Sequence, residues 1–321
     1  MAELNVALDE AMAGHGQLVM LAGEPGIGKT SIAQELTSRA SGLGARILWG
    51  WCYEREGAPP YWPWVQPIQS YIAEASADVL ESQMGLGAAD IADIAPELRE
   101  KLPELEPPPA LDSQQTRFRL FNSISSFLNN LARSQALVLV LDDLHWADTP
   151  SLLLLEFLAQ SMTDSKILVI GTYRDIEVTR QHPLSASLAQ LSRSPVFRRL
   201  TLSGLESPDV SQMVRSFGDE NASTELIEAI RVHTEGNPLF LLEVIRLLAD
   251  RDSLASPTES GTPVVLGLPQ GVSEVIGQRL NRLSPDCMDI LTMAAVIGRQ
   301  FEFKLLKNLS EDISESRLLD F

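Results

Sequence analysis

The stretch Gly23-Glu24-Pro25-Gly26-Ile27-Gly28-Lys29-Thr30 constrains this 321-residue chain more than any other. It spells G-x-x-x-x-G-K-T, the P-loop pattern. Gln17 to Ala22, just ahead of it, is a short apolar run with strand character. Behind it, Ile32, Ala33, Leu36 and Ala40 share one helical face. Strand, glycine turn and helix start together make an anion cradle. The glycines let successive backbone N–H groups turn inward, and the helix N-terminus adds unpaired N–H groups and a positive dipole end. Gly23, Glu24, Pro25, Gly26, Ile27, Gly28, Lys29, Thr30 and Ser31 are therefore the expected nucleotide contacts. Lys29 should reach the β- and γ-phosphates, and the Thr30 hydroxyl should sit on Mg²⁺. Lys29 is expected to be exposed and to support no core.

The rest of the composition narrows the partners. A formal charge of −18 argues against direct nucleic-acid binding, which needs a basic footprint. A hydrophobic fraction of 45% permits a sizeable core, with length enough for about two domains. Cys52 and Cys287 lack metal-ligand spacing and read as two buried thiols in a reducing compartment. The apolar runs fall far short of the ~18 residues of a membrane span, and the N-terminus has no signal-peptide pattern, so a cytoplasmic location is expected.

Strands are expected at 17–22, 45–53, 136–141, 166–172 and 197–202, alternating with helices at 4–13, 31–40, 64–83, 112–133, 149 onward and 184–192. That alternation predicts a three-layer α/β sandwich over 1–204. Thr149 is the expected N-cap of its helix, with Pro150 in the first turn. The Pro, Trp and Tyr cluster between Gly57 and Pro67 reads as a loop packed on the domain rather than a partner surface. Four prolines between Pro103 and Pro109 mark an exposed connection. From Ser207 helices dominate, at 207–217, 223–234, 238–250, 270–282 and 285–297, with a linker between 251 and 269. A helical lid over 205–268 and a further helical region over 269–321 are the expected domains.

Ala136 to Leu141 is fully apolar and ends in Asp142-Asp143, as a central parallel strand would. Carboxylates there lie where open α/β sheets bind ligands. Asp142 is the expected Mg²⁺ residue, through water. Asp143, one residue on, should point elsewhere by strand alternation and activate the attacking water. His145 reads as a loop histidine packed near Trp146, with a general base as the alternative. Arg174 either contacts the γ-phosphate through its planar fork or is a solvated loop residue.

Four motifs now stand in order: the glycine stretch at 23–30, Leu-Asp-Asp-Leu-His-Trp-Ala-Asp at 141–148, Gly-Thr-Tyr-Arg-Asp at 171–175, and Glu-Gly-Asn-Pro-Leu-Phe-Leu-Leu-Glu at 235–243. Together they resemble the STAND class of signalling ATPases, and most closely the ATPase module of large LuxR-type transcriptional regulators. A similar module adjoins some adenylyl cyclases and kinases. The resemblance implies an ASCE-type P-loop NTPase with strand order 5-1-4-3-2, a helical lid and the start of a winged-helix domain. It implies Walker A at Gly23–Thr30, the Walker B metal residue at Asp142, the catalytic acid at Asp143, a sensor at Arg174 and a base-side proline at Pro238. ATP or ADP with Mg²⁺ is the implied ligand. The family's usual Gly-Arg-Glu opening segment is missing, and the chain stops in an apolar helical pattern, so a fragment of a longer protein is expected.

On this reading the chain is a slowly hydrolysing regulatory switch. An effector or DNA-binding domain lies elsewhere in the longer protein, and ATP-dependent self-association is among its expected behaviours. The rivals are a fast-turnover remodelling ATPase, an ATPase module attached to a cyclase or kinase, a small-molecule phosphotransferase and an inactive scaffold. The intact Lys29, Thr30 and Asp142-Asp143 argue against the scaffold.

Overall fold

The computed structural model describes residues 1–54, 59–217, 222–250, 283–297, 303–310 and 318. It divides into two compact units, residues 1–204 and 205–321.

The first unit is built on five parallel strands: β1 (Gln17–Ala22), β2 (Arg46–Trp51), β3 (Leu137–Asp142), β4 (Ile167–Tyr173) and β5 (Phe197–Thr201), in the order β2-β3-β4-β1-β5. This is the expected 5-1-4-3-2 order. The continuous apolar runs become the central strands because both of their faces are covered. β1, β3 and β4 are buried at every position. Their alternation sends Leu18, Met20, Leu139, Leu141 and Val169 into one core and Val19, Leu21, Val138, Val140 and Ile170 into another. The second core is closed by α1 (Ala2–Met12), through Leu4 and Leu8, and by α2 (Lys29–Gly42), through Ala33, Leu36 and Ala40. The first core is closed by α3 (Trp62–Glu74), α7 (Ser113–Ser134), α8 (Thr149–Ser161) and α9 (Pro183–Leu191). Three layers result.

Several local expectations are corrected. The single helix expected at 64–83 is two, α3 and α4 (Ala77–Met84), because Ala75 takes an extended backbone. Short helices α5 (Ala88–Ile94) and α6 (Leu98–Lys101) fill a stretch without an assigned element. Trp62 to Pro67 belong to α3 rather than to a loop, and Trp64 is buried with its indole N–H donating to the Ser151 carbonyl at 3.1 Å. Asp148, not Thr149, caps α8: its carboxylate accepts from Ser151 N at 2.8 Å, and it also takes the Tyr61 N–H at 3.2 Å. The carboxylate thereby joins the starts of α3 and α8. Cys52 and Cys287 are both free and buried.

The second unit begins with α10 (Ser207–Phe217), α11 (Thr224–Thr234) and α12 (Pro238–Asp250) around Val210, Val214, Ile227, Ile230, Leu241 and Ile245. Two further helices, Pro285–Ile297 and Phe303–Leu309, bring Ile290, Leu306 and Leu318 together. The helix expected at 270–282 and the linker at 251–269 lie outside the described residues. No described helix is long and apolar enough to cross a membrane.

Candidate nucleotide site

The glycine stretch leaves β1 and curls before α2 at the C-terminal end of the sheet. Gly26 and Gly28 hold φ of 78° and 100°, a region that side chains with a Cβ rarely enter. α2 starts at Lys29, with Gly28 as its cap and no side-chain cap. The first N–H groups of the helix are thus left to an outside acceptor. Lys29 is not exposed as expected. It is buried, and its ammonium donates to the carbonyls of Gly23 at 2.8 Å and Glu24 at 2.9 Å. Burial pulls its pKa down, while Asp143, Asp175 and Asp142 push it back up.

Thr30 lies one residue on. Its hydroxyl donates to Asp142 Oδ2 at 3.1 Å. Asp142 closes β3 and is buried. Its Oδ1 accepts from the Thr172 hydroxyl at 2.5 Å, and the same Thr172 oxygen accepts the Asp143 backbone N–H at 2.9 Å. Thr172 sits on β4, the strand between β1 and β3. One buried hydroxyl therefore fixes both acidic residues.

Asp143 leaves the strand in an unexpected way. It adopts φ 59° and ψ 44°, so it is this left-handed turn, not strand alternation, that separates it from Asp142. Its side chain is partly exposed. Burial and the neighbouring Asp142 raise its carboxyl pKa, opposed by Arg174 and Lys29.

His145 is buried and packs on Trp146, with ring centroids 5.0 Å apart. Burial is the largest cause that pulls its pKa to about 3. Arg174 follows β4 directly, and its Nη1 donates to Glu177 Oε1 at 2.8 Å. Ser31 is exposed on the first turn of α2. Pro238 belongs to the second unit, where it opens α12 with the Asn237 side chain accepting from Leu239 N at 3.1 Å.

Mg²⁺ takes one or two protein oxygens and fills its octahedron with waters and substrate phosphates. Thr30 Oγ1 and the Asp142 carboxylate, already facing each other, fit that demand. Among the described residues no group of three His, Cys, Asp or Glu forms a rival metal site.

Sequence reasoning missed Thr172 and Glu177. Thr172 had a signal, since it brings a short polar side chain into a buried apolar strand run, where a hydroxyl usually finds a partner. Glu177 had none, as an acid on a short turn resembles any solvated carboxylate.

The parallel sheet of order 5-1-4-3-2, with its glycine loop between β1 and α2, is the fold of a P-loop NTPase. Residues 1–170 match the AAA ATPase domain family, and the chain belongs to that family. An uncharacterized protein of Rhizobium meliloti (strain 1021) is 23% identical over 329 residues. That match covers 97% of this chain and 30% of the relative, so the chain spans under a third of its length. Among solved structures, a signal transduction ATPase with numerous domains (STAND) and a tetratricopeptide repeat sensor, from Pyrococcus horikoshii, is similar at TM-score 0.47 and 13% identity. It is covered over 37% of its length, by 98% of this chain. A variant of RuvB from Thermotoga maritima is similar at TM-score 0.41 and 15% identity, over 99% of this chain and 85% of that one.

Proposed function

We propose that this chain binds ATP with Mg²⁺ and hydrolyses it slowly, as the switch module of a longer signalling or transcriptional regulator. The observation that carries the reading is the meeting of Thr30 with Asp142 beside Lys29, where the phosphates of a nucleotide would lie. Lys29 would exchange the Gly23 and Glu24 carbonyls for β- and γ-phosphate oxygens. The N–H groups of Gly26, Gly28, Lys29, Thr30 and Ser31 would take the remaining oxygens. Bound Mg²⁺ would neutralise charge on the β- and γ-oxygens. Asp143 would orient the attacking water and accept its proton as the β–γ bridging P–O bond breaks and ADP leaves. Arg174 would hold a γ-oxygen, and Pro238 would lie near the base. The two free thiols fit a cytoplasmic setting. The effector, by resemblance a LuxR-type DNA-binding domain, would be carried elsewhere in the longer protein, since the acidic surface of this segment suits no direct contact with nucleic acid.

A fast-turnover ATPase is the competing reading. The experiment that separates them identifies the nucleotide released on denaturing the purified chain and then measures turnover. A switch retains nucleotide through purification and turns over far more slowly than about one per second. Turnover near 10 per second, the ordinary enzyme range, defeats the switch. Recovery of no nucleotide together with no affinity for Mg-ATP defeats the binding site itself.

A further inference from the structure

A cavity of about 330 Å³ lies between the turn after β4, α9 and β5. It is on the sheet face that α9 covers, opposite the face covered by α2. Its volume is at the low end of small-molecule sites. Tyr173, the last residue of β4, lines it and is fully buried. The Tyr173 hydroxyl has no hydrogen-bond partner of good geometry. Arg199 of β5 lies over the ring, with Cζ 5.6 Å from its centroid, and is itself exposed. An arginine carries donors only, so it can serve the lone pairs of the phenol and never its O–H. The O–H is thus a buried donor without an acceptor, which is costly and uncommon. Burial raises the pKa of the phenol, with Arg199 opposing, so the proton stays on near pH 7.

Arg199 and Asp175 both line the cavity, and among the described residues neither is in an ion pair. Asp175 Oδ1 accepts from Ile176 N at 3.1 Å. Val178, Leu188 and Phe197 make the wall partly apolar. A simple anion in this space would be repelled by Asp175, and a simple cation by Arg199. A molecule that carries both charges can pair with each. We propose that the cavity binds a small zwitterion, an α-amino acid with an apolar side chain, through Arg199, Tyr173 and Asp175. The carboxylate of this ligand takes the Arg199 guanidinium and the Tyr173 O–H. Its ammonium takes the Asp175 carboxylate, and its side chain lies on Leu188 and Phe197. Arg199 turns from the Tyr173 ring to the carboxylate, an exposed side chain moving at little cost, and uncovers the hydroxyl. The buried O–H then gains the acceptor it lacks, in a hydrogen bond strengthened by the charge of the carboxylate. The site shares no residue with the phosphate cradle and does not rest on the nucleotide reading.

Calorimetry on the full chain tests the site, with L-alanine, L-valine, L-leucine and L-phenylalanine as probes. At least one should bind with a Kd below about 1 mM. The tightest of them should bind about tenfold or more better than its deaminated acid and its decarboxylated amine, each of which lacks one charged contact. Tyr173→Phe keeps the ring and removes only the hydroxyl. Affinity should fall about tenfold, while Tm holds or rises because the unsatisfied donor is gone. A tyrosine kept only for packing would leave the affinity unchanged. Arg199→Gln changes an exposed side chain and should also lose about tenfold or more. Weaker binding than about 1 mM by all four amino acids, or unchanged affinity in either variant, overturns the proposal. An acid that binds as well without its amine overturns the zwitterion and the role of Asp175. Should Tyr173→Phe not fold, Arg199→Gln and the two analogues decide.

Discussion

Thr30 donates its hydroxyl to Asp142 at 3.1 Å, across 112 positions of sequence and past a strand that lies between theirs. Two stretches that are each ambiguous alone, a glycine turn and a pair of acids, are thus the two sides of one site. Thr172 on the intervening strand completes the bridge by donating to the same carboxylate.

Thr172→Val tests that bridge. It preserves the shape, leaves the Asp143 N–H without its partner and takes from Asp142 Oδ1 its shorter hydrogen bond. Stability should fall by ~1–3 kcal/mol, and hydrolysis should fall with it as the acids lose their register. Wild-type melting and turnover together would show that the hydroxyl fixes nothing.

Lys29→Ala should weaken ATP binding by about 100-fold or more, since it removes the cation proposed to pair with the β- and γ-oxygens. The loop carbonyls of Gly23 and Glu24 also lose a donor. A small fall in Tm is therefore expected, whereas an exposed lysine would have given none. Calorimetry that finds equal ATP affinity in variant and wild type would remove the phosphate cradle from the site.

The two acids should fail in different ways. Asp143→Asn should keep Mg-ATP binding and slow hydrolysis ~10²–10⁴-fold, because the amide positions water but takes no proton. Asp142→Asn should weaken the Mg²⁺ dependence of binding. Titrations with and without Mg²⁺, beside phosphate release, separate the two. Identical profiles would mean that the roles are assigned wrongly.

Arg174→Ala should lower ATP affinity more than ADP affinity, by about tenfold, as ADP lacks the group it would hold. A parallel loss for both nucleotides would leave Arg174 with a general or structural role.

Acid should destabilise the chain through His145. The folded chain binds fewer protons there than the unfolded chain between about pH 3 and 6.5. Stability from this group is full above the unfolded value and drains as pH falls toward the folded one, by about 1.4 kcal/mol per pH unit. His145→Phe should remove this slope, so its stability relative to wild type grows on acidification in urea titrations. A difference that stays flat with pH would place the ring in water or beside a partner that holds its charge.

Much of this was legible in the residues. The apolar runs at 17–22 and 136–141 became buried strands because nothing but a two-sided core tolerates them. Three helices of the second unit, Ser207–Phe217, Pro238–Asp250 and Pro285–Ile297, fall on the residues where the sequence placed them. Other features were not legible. Asp148 and Thr149 are both good caps, and only the position of Ser151 selects the aspartate. α5 and α6 are too short to show a period, and their burial comes from α7 and α3 rather than from their own sequence. The pairing of Arg174 with Glu177 needed the turn that follows β4, which leaves no mark in composition.

The left-handed backbone at Asp143 has a bearing on descent. Asp and Asn accept φ near 60° more readily than other side chains, and glycine accepts it freely. Substitution by Asn or Gly at this position would therefore spare the turn while ending proton acceptance. The Thr172 contact to the main-chain N–H would persist in either case, and Asp142 would keep its partners. A lineage could in this way shed catalysis in one step and still inherit a sound nucleotide receptor. Loss of turnover at this position is cheap in folding terms, whereas loss of Thr172 is not.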